Sequence, residues 1–156
     1  MLKIITIPDP ILRKKSVKIT DVFDVKIQKL IPQMFETMIK GDGVGLAAPQ
    51  IGLNIRLIVV KHKDGNIAMI NPKIVFKSLI KEWGEEGCLS VPGTFGEVKR
   101  SKKITVKYTD EKGKNKTMIA SGFLARVIQH EVDHLDGKLF TDKARNLVKV
   151  SPDKKE

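Results

Sequence analysis

The stretch that most constrains this 156-residue chain is His130-Glu131-Val132-Asp133-His134. It lies within Ser121 to Asp136, where Phe123, Leu124, Val127, Ile128 and Leu135 recur at helical spacing. Ser121 is placed to cap the N-terminus of that helix, and Gly137 to end it. Residues four apart share one helix face, so the two imidazoles point the same way. Two neutral imidazoles make half of a metal site, and Glu131 beside them is placed as a base towards a metal-bound water. The blander alternative is an amphipathic helix that merely carries two His on its polar face. The spacing and the adjacent glutamate favour a metal helix.

Length and composition suit one soluble globular domain over residues 1–156, with a short charged tail from about residue 141. No apolar run approaches the roughly 20 residues that cross a bilayer. The opening apolar stretch is broken by Pro8, Asp9 and Pro10, unlike a signal peptide, so a cytoplasmic location is expected. The formal charge of +11 invites a nucleic-acid partner, but only five of the 29 basic residues are Arg. Aromatic residues are 5%, and no stacking motif interleaves Arg13-Lys14-Lys15 or Lys99 to Lys103. A lysine-rich solvated surface is favoured, a side that loosely meets RNA or ribosome is the alternative, and no DNA partner is expected. The single Cys, Cys88, excludes an intramolecular disulfide. A lone Cys is usually a small buried hydrophobe, but a metal helix short of a third ligand makes it a candidate for more.

Along the chain, Leu2 to Thr20 reads as an extended arm with a turn. Asp24 is placed to cap a helix through about Lys40, with Leu30, Ile31, Met34, Phe35, Met38 and Ile39 on one face. Pro32 inside that pattern predicts a kink, or a helix that begins near it. The glycines of Gly41 to Gln50 suggest a backbone that lies close to something, with a plain turn as the alternative. Strands over Arg56 to Val60 and Ile67 to Ile70 flank a hairpin turn at Asp64-Gly65, with His62 exposed beside it. Further strands are expected over Lys73 to Lys81, Glu97 to Tyr108 and Lys116 to Ala120, with Trp83 half-buried between the first two. The fold class is α+β, antiparallel strands wrapped around one central metal-binding helix.

Three stretches together resemble peptide deformylase: Gly43-Val44-Gly45-Leu46-Ala47-Ala48-Pro49-Gln50, Glu86-Gly87-Cys88-Leu89-Ser90, and His130-Glu131-Val132-Asp133-His134. The resemblance extends from Ile5 to Gly137 and weakens after Phe140, where many bacterial members carry a longer C-terminal helix. It implies a metal-dependent hydrolase that removes the N-formyl group from the initiator methionine of new polypeptides, with the metal-bound hydroxide as nucleophile. Cys88, His130 and His134 match the family's three metal ligands, and Glu131 its general base and acid. Gln50 and the Leu89 N–H match its oxyanion donors. Gly43, Val44 and Gly45 match the substrate-binding edge, and Glu86, Phe123, Arg126 and Val127 the methionine pocket. The Arg126 stem is expected at the pocket rim with its head in water. Asp42 and Arg100 match an acidic–Arg pair near the site.

The resemblance further implies one divalent metal per chain, Fe2+ first, with Ni2+, Co2+ or Zn2+ able to substitute. It implies formyl-methionyl nascent peptides as substrate, work near the ribosomal tunnel exit, no membrane partner and a monomer. A zinc endopeptidase shares the His-Glu-x-x-His helix but not an upstream Cys88. An RNA-binding module with a structural metal would need a fourth protein ligand. Residues 146–150 are expected to lie against the body as an extended strand or arm, with residues from Ser151 onward disordered.

Overall fold

The computed structural model describes residues 1–150 of the chain. The N-terminal arm is extended except for a 3-10 turn at Pro10–Arg13, which the Asp9 carboxylate opens by accepting the Ile11 N–H. Its backbone ties two functional loops together: the Ile5 N–H donates to the Gln50 carbonyl and the Ile7 N–H to that of Ser90.

The first helix, α1 (Val25–Lys40), is capped by the Asp24 carboxylate, which accepts the Lys26 N–H. It starts well before Pro32 and runs through it, which corrects the expectation of a late start. Pro32 sits on the exposed side, where the carbonyl it leaves unbonded is near water. Leu30, Ile31, Met34 and Met38 are buried, while Ile39, about 100° round from Met38, is exposed rather than on the apolar face.

The strands that follow are β1 (Gly45–Ala47), β2 (Leu57–Val60), β3 (Ile67–Lys77), β4 (Lys81–Cys88), β5 (Val91–Ser101), β6 (Lys103–Thr109) and β7 (Asn115–Ser121). Then come α2 (Gly122–Leu135), a 3-10 turn at Phe140–Asp142, and β8 (Arg145–Lys149). They form a five-stranded sheet in the order β1-β2-β3-β6-β7 and a three-stranded sheet β4-β5-β8, with every named pairing antiparallel.

Burial alternation explains the layers. Val106 and Ile104 of β6 face α2, where Ala125, Ile128, Val132 and Leu135 meet them together with Ile58, Val60 and Met69. The α1 helix covers the opposite face of the β1-β2-β3 half through Ile31, Met34 and Met38 against Leu46, Leu57, Val59 and Ile70. Helix α2 is therefore the central, mostly buried element, wrapped by antiparallel strands.

Four expectations change. The run Glu97 to Tyr108 is two strands broken at Lys102, and Lys73 to Lys81 is the end of β3, a turn and the start of β4. Glycine-rich Trp83 to Cys88, which shows no strand pattern, is most of β4. Gly84 is needed there because a Cβ would lie 2.8 Å from the Arg126 guanidinium. Ser121 occupies the N-cap position of α2, but its side chain makes no capping bond. The tail does lie against the body: β8 pairs with β5, and the Val150 N–H donates to the Gly93 carbonyl. The expectation for residues from Ser151 onward falls outside the described residues.

Candidate metal centre

On α2, His130 and His134 lie one turn apart with ring centroids 5.0 Å from each other. Cys88 ends β4 and is brought over them by the tight Leu89-Ser90 connection into β5, with Sγ 3.3 Å from His134 Nε2. The donor atoms of Cys88, His130 and His134 all lie within 4.8 Å of one another. It is the one such cluster of at least three His, Cys, Asp or Glu among the described residues. His62 takes no part: it is half-buried rather than exposed, and its Nδ1 accepts the Asp64 N–H at 3.2 Å.

A carboxylate sets the orientation of His130. Its Nδ1–H donates to Glu86 Oε1 at 2.8 Å, which leaves Nε2 for a ligand. Glu86 is then gripped from both sides, by Arg100 through Nε and Nη2 at 2.9 Å each and by Arg126 Nη1 at 2.7 Å. The remaining Arg100 nitrogen reaches Asp133 Oδ2 at 2.6 Å, and Lys143 meets the same oxygen at 2.9 Å. A chain of alternating charges thus runs from His130 through Glu86, Arg100 and Asp133 to Lys143.

The electrostatics follow from burial and these partners. Burial alone would raise Glu86 and Asp133, but hydrogen bonds from Arg100, with His130 and Lys143 respectively, hold both carboxyls below the usual range. Burial would lower His130, yet Cys88 and Glu86 outweigh it and raise it to about 10. The same negative groups favour any cation placed among them. Burial drives His134 well below its ordinary value, so it stays neutral as a ligand must. Burial pushes Glu131 up to about 7, against the pull of His130. That is where a general base is most effective near neutral pH.

Glu131 packs against β1: a Cβ on Gly45 would lie 2.7 Å from its Oε1. Its buried Oε2 has no hydrogen-bond partner among the described residues. A cysteine sulfur and two imidazoles converging beside an unpartnered carboxylate oxygen fit a divalent metal with an open coordination position. Gln50 is locked close by, with Oε1 accepting the Ala47 N–H at 2.9 Å and Nε2 donating to Ser90 Oγ at 3.2 Å and Cys88 Sγ at 3.4 Å.

A cavity of about 820 Å³ opens over this centre. Gly43, Val44, Gly45, Gln50, Glu86, Cys88, Leu89, Phe123, Arg126, Val127, His130 and Glu131 all line it, so the structure brings the sequence-expected residues together; His134 lies just beneath. Two expectations are corrected. The Arg126 head is not in water: its side chain is 11% exposed and also donates to the Val98 and Glu82 carbonyls, pinning β4 and β5 to α2. Arg100 does not pair with Asp42; its partners are Glu86 and Asp133, and Asp42 is an exposed turn residue with φ of 55°. Asp133, Ser90 and Lys143 were missed as supporting residues. For Arg100 a signal existed: it shares strand parity with buried Val98, so its guanidinium points inward and must find carboxylates there.

The family model described as polypeptide deformylase matches residues 1–150. The chain is 48% identical over 160 residues to the peptide deformylase of Symbiobacterium thermophilum, covering all of this chain and 72% of that one. It is 45% identical over 150 residues to that of Desulforudis audaxviator, covering 96% and 97%. The solved Thermotoga maritima peptide deformylase superposes with a TM-score of 0.90 at 44% identity, over 93% of this chain and 98% of the other. A Synechococcus elongatus peptide deformylase in complex with actinonin gives 0.89 at 41% identity, over 93% and 79%.

Proposed function

The chain belongs to the polypeptide deformylase family, and from that premise we propose that it hydrolyses the N-formyl group from the N-terminal formyl-methionine of new polypeptides, releasing formate. The observation that carries this reading is the convergence of Cys88, His130 and His134 beneath a cavity whose wall carries Glu131. The structural-metal reading is weaker, since no fourth protein donor closes the cluster among the described residues, and the endopeptidase reading is weaker because the third donor is the upstream Cys88.

Cys88, His130 and His134 would hold one divalent metal, Fe2+ in our reading, with Ni2+, Co2+ or Zn2+ able to take its place. When bound, that metal lowers the pKa of water towards ~7 and polarises a carbonyl. The chain's own residues do the rest. Glu131, in a buried setting that favours its neutral form, takes the proton as water adds to the formyl carbon and passes it to the amine as the C–N bond breaks. Gln50 Nε2, held over Cys88, and the Leu89 N–H donate to the oxygen that gains charge at the tetrahedral stage. Glu86 keeps His130 in one tautomer and one orientation.

The peptide would lie along Gly43-Val44-Gly45, because β1 is an edge of the larger sheet and can accept an added strand. Val44, Phe123 and Val127 supply apolar wall for the methionine side chain, with Glu86 and Arg126 behind it. Among the described residues, no helix is long and apolar enough to cross a membrane. We place the protein in the cytoplasm, as a monomer acting on chains near the ribosomal tunnel exit.

The test is formate release from formyl-Met-Ala-Ser under anaerobic conditions, set beside cleavage of denatured casein. Formate without casein cleavage, abolished by a chelator, is expected. A folded, metal-loaded chain that released no formate would overturn the reading.

A further inference from the structure

The solvent face of β3, β6 and β7 is the part of the molecule the deformylase chemistry leaves unused. Residues 67–77, 103–109 and 115–121 contain no Asp or Glu, and of their lysines Lys73, Lys103 and Lys107 lie on the outward side, while Lys77 and Lys116 stand opposite core-facing Ile104 and Tyr108. Outward and inward positions separate cleanly by register. Ile104 and Val106 face the core, while Lys103, Thr105 and Lys107 face away, and the partners of Thr105 in the neighbouring strands are Phe76 and Ile119. Phe76 is 52% exposed and Ile119 67%, so one row of this face is apolar and aromatic.

The adjacent row is basic. Lys73 stands directly opposite Lys107, with Thr117 beyond it. Like charges opposed across a ladder are destabilising. Lys73, Lys103 and Lys107 make no ion pair among the described residues to offset this. A shallow depression of about 400 Å³ crosses the three strands here, lined by Lys73, Lys107 and Asn115 among others. An exposed aromatic on a sheet beside unpaired lysines is how single-stranded nucleic acid is held, bases stacked on the ring and phosphates on the cations. A second copy of this chain fits poorly, because self-association would bring the same lysines together.

We propose that the outer face of β3-β6-β7 binds single-stranded RNA, with Lys73, Lys103 and Lys107 on phosphates and Phe76 as a base-stacking platform. The choice of RNA rests on the deformylase reading, since a nascent chain emerges beside RNA. The binding itself does not.

Fluorescence anisotropy with a labelled single-stranded uridine-rich RNA tests this on the metal-loaded full chain. Three variants are compared: K73E/K103E/K107E, F76A, and K14E/K26E/K29E, which makes the same charge change on another surface. The first should lower the slope of log affinity against log salt by about 2, from ~0.7 per lost phosphate contact, and weaken binding by roughly tenfold or more. F76A should cost roughly fivefold or more, the low end for one stacked base. K14E/K26E/K29E should retain the slope. Formate release by all three should match the parent, so a failed deformylase reading would show separately. Equal losses in the two triple variants, an F76A protein that binds normally, or light scattering that shows a dimer broken by F76A would overturn the proposal.

Discussion

Replacing Arg100 by Leu tests how the metal helix is held. Arg100 is 4% exposed and makes three hydrogen bonds to two carboxylates. Removing one member of a buried charged set costs about 3–5 kcal/mol, because the groups left behind stay buried. Here Glu86 keeps Arg126 and His130, and Asp133 keeps Lys143, so the lower end, about 3 kcal/mol, is expected. For a domain of this size that is a fall in Tm of roughly 6–12 °C.

The pH dependence has a definite sign. Both carboxyls titrate below their ordinary values of 4.5 and 3.8 in the folded protein. Their contribution is therefore complete above those values and is lost as pH falls through the depressed folded ones. In urea titrations at fixed metal loading, the gap between parent and Arg100→Leu should be full at pH 7 and narrow progressively as pH falls below about 4. A double-mutant cycle of Arg100→Leu with Asp133→Asn should show coupling of about 1–3 kcal/mol, whereas the cycle with Asp42→Ala should be additive. A gap unchanged at pH 3, or coupling to Asp42, would refute the network.

Gly45→Ala should fold normally but push Glu131 aside, since the new Cβ would lie 2.7 Å from its Oε1; kcat should fall by about 10²-fold, as for an ~1 Å misplacement. Glu86→Gln should weaken metal affinity by about 10–100-fold, read by competition with a chromogenic chelator, because His130 loses the carboxylate that fixes its tautomer. Cutting the chain after Val150 should leave kcat/KM on a short formyl-Met peptide nearly unchanged, because Gln50, Cys88, His130, Glu131 and His134 all precede it; a loss there would place the tail in the site.

The helices were legible because their periods are long and their apolar faces continuous. For α1 the cap was legible too; for α2 the Ser121 position was right, but its side chain makes no capping bond. β4 was hidden because Gly84 marks close approach by Arg126, far away in sequence, which no local pattern encodes. The candidate ligands Cys88, His130 and His134, which the fold brings together, were legible from spacing and family likeness together. The supporting charges were not: Arg100 and Asp133 are 33 positions apart, and only the fold shows which of several acids meets which arginine. Likewise the basic face emerges from pairing β3 with β6, which sets Lys73 against Lys107.

The central claim is that Glu131 moves the proton in a site whose metal is held by Cys88, His130 and His134. Its most direct test is Glu131→Gln, with metal content measured by atomic emission on the same sample used for formate release from formyl-Met-Ala-Ser. The account predicts one metal per chain, as in the parent, and a kcat lower by about 10²–10⁴-fold. A metal-replete Glu131→Gln protein with the parent's activity would contradict it.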